Sequence, residues 1–591
     1  MKKILICALA AVALLSTGCK DMLEEEVFGQ PTSEEMLTNP ENVAMVVGQA
    51  YSEVKWLHDH WGYWGIATLS TDECINPQRN SDWNDDGYWK GFNDHTWSSK
   101  DLSFEHVWQY SNAGAILCNK VLEQLGGIQE TLDPAVYTRF AAELKVLRCY
   151  YYYTLFDAFG RIPYLDDYSS ENVPQSETWE VWNKLVTTLE TEAPNLPVVT
   201  DENRAENYGR CTQGMAYSLL ARLYLNAPSF GVTAANCGVE GIKSDNDFYT
   251  KCVESCQKVV DSKSYKIEDD FFTNFKINNE GSLENIFVIV ENGNASFDYR
   301  DVAGKMANKL RITMLSLNYC HQQAWGLIEK PWNGFCCPPD FLAKYEYGVD
   351  HRGACDSIKG THGCDGWGWF LGPVYASDNS MDTLVMDDKP VIKVRVIDGD
   401  TVWVKNPDGT FFMQNNKKVP VKDTLANKAV IVSNIEGVVC VGNESHNYGA
   451  RFLKYEVEKF GVNKYCENDF VLFRYADVLY MQYEAALRAG DNTTCAKLLA
   501  DPEFQKIRTR VGCKPYASLD LEELLDERGR EFAWEMLRRR DLIRYNKFAK
   551  GAWLFKPAEA DNHRDWFPIP RKMIETSGGL WRQNEGYTTD K

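Results

Sequence analysis

The chain has 591 residues, with 63 Lys or Arg against 84 Asp or Glu, for a net charge of −21. So acidic a surface makes nucleic acid and anionic lipid poor partners. Beyond the first residues no apolar run is long enough to cross a bilayer, and the length far exceeds what one hydrophobic core needs.

Met1-Lys2-Lys3 is a short cationic head, and Ile4 to Leu15 is an apolar run too short for a transmembrane helix. Leu15-Ser16-Thr17-Gly18-Cys19 then sets small residues directly before a cysteine. The stretch resembles the lipobox of bacterial lipoproteins, where cleavage before the cysteine frees it for lipid attachment. Residues 1–18 are expected to be a signal peptide and Cys19 the lipidation site. Loss of Lys2 and Lys3 with the signal takes the net charge from −21 to −23. Residues 19–40 are acidic and aperiodic and read as a flexible tether.

Of 18 tryptophans, six fall between Trp56 and Trp97, denser than core packing requires. His58-Asp59-His60 nearby reads as a surface pair rather than a set of metal ligands. The stretch "DWNDDGYWKGFN" places Asp82, Asn84, Asp86 and Gly87 at positions one, three, five and six of an EF-hand loop. Position twelve is Asn93 instead of the bidentate Glu that such a loop uses. The reading taken is a turn-rich loop that presents Trp83 and Trp89. A calcium ion on Asp82, Asn84 and Asp86 is the alternative, and no other cofactor is expected. A sugar ring offers an apolar C–H face for an indole and hydroxyls for planar polar groups. Arg79, Asn80, Trp83, Asn84, Trp89 and Trp97 supply both kinds.

Helical stripes follow. "TRFAAELKVLRCYYYYTLFDAFG" aligns Phe140, Leu144, Leu147, Tyr151 and Leu155, and Gly160 and Pro163 stop it. "TQGMAYSLLARLYLNA" repeats the pattern with Thr212 as N-cap, and "YTKCVESCQKVVDS" is a shorter helix. Between about 267 and 465 the stripes fade. "VIKVRVIDGDTVWVKNPDGTFFM" alternates around Asp-Gly pairs and predicts short hairpins. "FVLFRYADVLYMQYEAALRAG" and "LDLEELLDERGREFAWEMLRRRDLIRYNKF" return to helical periodicity. The fold class is therefore mainly α: helical pairs resembling tetratricopeptide (TPR) repeats, carrying an irregular elaboration of loops and short hairpins.

The chain has 18 cysteines; Cys7 leaves with the signal and Cys19 is the lipid site, which leaves 16. The rest form no paired framework and no CxxC pair. They read as mostly free, buried thiols, with a bridge or two left open and no structural zinc. Glu527, Glu531 and Glu535 invite a glycosidase reading, since such enzymes use paired carboxylates. At helical spacing beside Arg528, Arg530 and Arg538, they read instead as an ion-pair network.

Four stretches carry a family resemblance. They are Ala142-Glu143, Arg148, Tyr150-Tyr151-Tyr152 and Phe159-Gly160 with Pro163; "FRYADVLYMQYEAAL"; Glu527-Arg528, Glu531, Ala533, Glu535, Arg538 and Asp541 to Arg544; and "FPIPRKMIETSGGLWRQNEGY". In order and spacing these resemble the SusD/RagB family of nutrient-binding outer-membrane lipoproteins. Met536 stands where the family usually has Gly, and Arg539 and Arg540 where aromatics are common. The resemblance implies one SusD-like domain over 41–591, with a helical scaffold at about 41–266 and 466–591 and a variable ligand-binding insertion at about 267–465. It implies a lipid-anchored protein on the outer face of the outer membrane. Such a protein binds oligosaccharide without catalysis and hands it to a SusC-like TonB-dependent transporter. Oligopeptide binding within the same family and a surface glycoside hydrolase are the rival readings. Family ligand contacts often come from the N-terminal loop and the insertion. The insertion here offers Tyr319, Trp325, Trp332, Trp367 and Trp369.

Overall fold

A computed structural model describes residues 40–587 except 80–81, 170–171, 292–310, 320, 347, 357–367, 372–390, 395, 398–399, 402, 404, 408, 412, 415–416, 419–421, 426–448 and 459–466. Cys19, the tether, Asn80 and Trp367 lie outside the described residues.

Helices occupy both ends of the chain. The N-terminal set is α1 (Pro40–Gln49), α2 (Tyr63–Leu69), α3 (Tyr88–Asn93), α4 (Leu102–Gly127), α5 (Pro134–Phe159), α6 (Thr178–Glu192), α7 (Gln213–Asn226) and α8 (Asp245–Asp261). The C-terminal set includes α9 (Tyr475–Ala489), α10 (Leu521–Glu531) and α11 (Arg538–Arg544). Consecutive helices pack as pairs, α4 on α5 and α7 on α8, and α9 closes against α8. Gly114 of α4 lets the first pair approach closely, because a Cβ there would lie 2.2 Å from the Tyr151 ring.

Helix ends follow the local chemistry. Asp133 caps α5 by accepting from the Ala135 and Val136 amides, and Pro134 fills the first turn. Thr212 caps α7 by accepting from the Met215 amide. The five striped residues of α5 are all buried. Gly160 ends that helix with φ 69°, and its α-carbon lies against the Trp566 indole.

Two helical expectations change. Phe470–Arg474 is not the first turn of α9 but a strand, β5, buried at every position. Its five bulky residues pair antiparallel with Asn285–Ile289, β1, which suits a strand covered on both faces better than an amphipathic helix. The long C-terminal helix is also broken. Residues 532–537 separate α10 from α11, with Trp534 at φ 60° and Met536 at φ 65°. The turn brings the Trp534 amide to the Glu73 carboxyl at 3.1 Å and swings Glu535 away from the α10 face.

Between β1 and β5 the described chain holds short elements. Ala354–Asp356 (β2), Trp369–Leu371 (β3) and Arg451–Phe452 (β4) form a small sheet with β3 in the middle. Val391–Val394 pairs antiparallel with the distant Lys422–Leu425, and Val396–Ile397 with Asp400–Thr401 as a short antiparallel hairpin. One continuous core runs from Val43 to Ile569. The eleven cysteines whose side chains are described are all free, and ten of them are buried. Among the described residues no helix is long and apolar enough to cross a membrane.

Candidate functional site

The segment 79–93 folds against 319–335, so the N-terminal loop and the insertion meet. Arg79 and Asp82 face each other across a tight turn, with N–O distances of 2.9 and 2.8 Å. The Arg79 guanidinium donates to the Gly334 carbonyl at 3.2 and 3.0 Å, the Tyr319 hydroxyl donates to Asp82, and the Trp83 indole donates to the Trp332 carbonyl at 2.8 Å. Gly334 is required here, since a Cβ would lie 2.7 Å from the Trp83 ring.

The loop backbone is strained. Trp83, Asp85 and Asp86 have φ of 55°, 31° and 50°, a region that disfavours all residues with a side chain and bulky ones most. Such conformations persist only where the surroundings over-determine them, and they cluster at binding sites. Here the Trp83–Trp332 hydrogen bond and the Trp89 indole, which donates to Asp85 at 2.8 Å, hold the loop.

Trp83 and Trp332 are half-buried, 6.3 Å apart and inclined at 40°. Asn84, Asp85 and Asp86 stand exposed beside them. Tyr319 is half-buried with the Lys330 ammonium 3.9 Å from its ring centre, and burial together with Asp82 pushes its hydroxyl up from the ordinary value. The result is a shallow rim of two indoles and a phenol with carboxylates, an amide and an ammonium at its edge. Trp61 and Tyr88, half-buried and packed on Trp89, extend the same cluster and were not singled out in the sequence. Their signal was present, because both lie in the tryptophan-rich stretch.

Other candidates are placed differently. Trp89, Trp97, Trp325 and Trp369 are 2, 6, 0 and 1 % exposed. Trp89 is enclosed by His60, Trp61, Trp83 and Phe335, Trp97 by Phe548 and Phe567, Trp325 by His321 and Phe370, and Trp369 by Phe452 and Trp534. An indole covered on its faces cannot stack on a sugar, so these four are corrected to core residues. Arg79 is fully buried and committed to Gly334, which removes it as a ligand contact. His58 and His60 are buried rather than a surface pair. Burial lowers the His58 imidazole to about 3, and its ring meets Met536 and Tyr150. For the calcium alternative, Asp82 is engaged by Tyr319, and among the described residues no cluster of three His, Cys, Asp or Glu side chains could hold a metal ion.

The three glutamates sit elsewhere, inside the protein. Glu527 accepts from Arg352 at 2.8 Å, Arg508 at 2.8 Å and Arg530 at 2.6 Å. Glu531 accepts from Arg352 at 2.8 Å, Arg474 at 2.9 Å and Arg510 at 2.6 Å, and Glu535 from Arg474 at 2.8 Å and from Lys454. They form an ion network, but of the expected partners only Arg530 takes part. Arg528 pairs with Asp477 and Asp541, and Arg538 with Asp72. Burial alone would raise the Glu527 and Glu531 carboxyls. Arg352 and Arg530 nevertheless hold Glu527 down at about 2, and Arg510 and Arg474 hold Glu531 well below the usual range. Saturated by guanidinium groups and sealed from solvent, they cannot act as acid or nucleophile on a glycan.

Comparisons with known proteins agree with this architecture. A family model described as "SusD family" matches residues 330–587, and one described as "Starch-binding associating with outer membrane" matches residues 33–225. The chain is similar to the starch-binding protein SusD of Bacteroides thetaiotaomicron, 22% identical over 88% of this chain and 84% of the relative. It is similar in structure to a SusD superfamily protein of Parabacteroides distasonis, at TM-score 0.64 and 18% identity, covering 94% of this chain and all of that one. Surface glycan-binding protein A of Bacteroides thetaiotaomicron, in complex with laminarihexaose, matches at TM-score 0.61 and 18% identity over 92% of this chain and 99% of its own.

Proposed function

The chain belongs to the SusD/RagB family, and on that premise we propose that it is a non-catalytic, lipid-anchored protein of the outer-membrane surface. It binds extracellular oligosaccharide and delivers it to a TonB-dependent transporter. The observation that carries the binding role is the Trp83–Trp332 rim, built on a strained loop where the N-terminal segment meets the insertion. Two inclined indoles with exposed Asn84, Asp85 and Asp86 suit a bent or helical glycan face, with stacking for area and polar groups for orientation. The glycan-binding relatives support the ligand class. The insertion, at about 267–465, sets ligand choice through residues such as Tyr319 and Lys330.

Calorimetric titration with a panel of oligosaccharides, laminarihexaose among them, tests the site. Trp83→Ala and Trp332→Ala are expected to weaken binding by about 2 kcal/mol or more, some thirtyfold. Unchanged affinity in both variants would remove this surface from consideration. Binding of oligopeptides in place of every glycan would shift the reading to the peptide-binding members of the family.

A further inference from the structure

A second concavity lies on the scaffold, far in sequence from the Trp83–Trp332 rim and sharing no residue with it. It has a volume of about 560 Å³ and opens between the turn at 225–231 and residues 543–566. One wall is aromatic. Phe230 and Trp566 stack at 6.0 Å and 22°, and the Arg540 guanidinium backs both rings at 4.2 and 5.3 Å. Arg540 is itself fixed by Asp157, so the wall is rigid before any ligand arrives. The opposite rim is polar, with Asn546, Asn562 and Asp565. The Asn562 amide donates to Asn546 at 2.8 Å, which orients both side chains. Asp565 is half-buried at this rim, and its backbone carbonyl accepts from Arg539 at 2.6 Å.

We propose that this cavity is a second saccharide site, taking one neutral pyranose residue. Its size lies within the range of small-molecule pockets. The charges on its walls argue for a neutral ligand. Arg544 lines the cavity but is consumed by Glu484 at 2.7 Å, Asp541 at 2.7 Å and Asn226 at 2.8 Å, so it exerts little pull on an anion. Burial raises the Asp565 carboxyl to about 6 against the opposing pull of Arg540 and Arg539, leaving an acceptor at neutral pH beside guanidinium groups that disfavour a cation. What remains is an apolar ring face opposite planar amide and carboxylate groups. A pyranose matches that pairing: its C–H face lies on Trp566 and its hydroxyls meet Asn562 and Asp565. The site would hold a terminal or branching sugar while the rim engages the rest of a polysaccharide.

The test uses saturation-transfer NMR on the full mature protein. The probes are D-glucose, D-galactose, D-mannose and N-acetyl-D-glucosamine. At least one probe is expected to bind, and binding is expected to survive in the Trp83→Ala/Trp332→Ala double variant. Asn562→Ala and Asp565→Asn should each weaken it about tenfold, the loss of one hydrogen bond to the sugar. Asn562 is exposed, so its variant should melt like the parent and reads binding alone even if Asp565→Asn lowers stability. The proposal falls if none of the four sugars binds, if binding is unmoved by Asn562→Ala, or if it vanishes in the tryptophan double variant. Failure of the rim reading would show instead in the oligosaccharide titration, with monosaccharide binding intact.

Discussion

Tryptophan and glutamate are the two residue types whose chemistry here depends most on what surrounds them. Trp83 and Trp332 keep part of their faces in solvent, while Trp325 and Trp369 are enclosed. Trp325→Ala and Trp369→Ala are therefore expected to cost about 3–5 kcal/mol of stability by opening cavities. Thermal melts would read this loss, whereas Trp83→Ala should shift the melt far less. Glu531 faces three arginines with no exposure to solvent. Glu531→Gln leaves their charges uncompensated, and breaking a buried pair of this kind costs roughly 3–5 kcal/mol, measurable by urea denaturation. Buried ion pairs of this kind set acid sensitivity. Burial would raise Glu527 and Glu484, but Arg352 and Arg544 respectively hold them at about 2, below their ordinary value of 4.5. Groups depressed in the folded state contribute stability that is complete above the unfolded value and lost as pH falls toward the folded one. Urea midpoints should accordingly drop steeply between pH 4.5 and 2, after a shallower decline below about pH 6.5, where unfolding lets the buried His58 and His95 imidazoles take up protons that the folded state excludes. A midpoint that stays level between pH 4.5 and 2 would contradict this assignment.

At the scale of elements, termini and breaks decide how helices meet. Gly160 ends α5 in the left-handed region, and a Cβ there would stand 2.9 Å from the Trp566 ring. Gly160→Ala combines backbone strain with a clash and is expected to cost about 2 kcal/mol, seen as a lowered melting temperature. It should also disturb the Phe230–Trp566 wall, because the indole must move to admit the methyl group. Met536 presents the opposite balance. Its φ of 65° favours Gly, yet its side chain is buried and its sulfur lies 3.0 Å from His58 Nδ1. Relief of left-handed strain is worth about 1–2 kcal/mol, while removal of a buried Met side chain costs about 2–5 kcal/mol. Met536→Gly should therefore destabilise the protein.

In the whole molecule, the insertion is tied to the scaffold at its root and beneath its body. β1 and β5 pair where the chain leaves and rejoins the helices. Arg352 and Lys454 reach down from the inserted segment into the Glu527–Glu531–Glu535 network. The loops between β1 and β5 thus stand on a fixed footing. Anchoring and partnership belong to this scale too. Cys19→Ser is expected to leave the protein unlipidated and absent from the membrane fraction, as fractionation and immunoblotting would read. Purification of the wild-type protein in mild detergent should bring a TonB-dependent β-barrel in near-equal amount, and a clean monomer would count against the transporter partnership.

Much of the fold was legible in the linear chain because its signals are local. The stripe on α5, the Thr212 cap and the Gly160 stop act within a few residues, and they appear where periodicity and capping place them. What the sequence could not decide were outcomes set by distant partners. Phe470–Arg474 carries an apolar run that helix and strand tolerate equally, and β1, nearly two hundred residues away, makes it a strand. Glu531 and Glu535 find Arg352, Arg474, Arg510 and Lys454 from other elements, not the arginines beside them. Each candidate tryptophan has the same side chain and the same appetite for burial. Only packing against Trp332 and Gly334 left Trp83 at the surface, while His60, Trp61 and Phe335 closed over Trp89, because burial is a property of what folds back onto a residue and not of the residue itself.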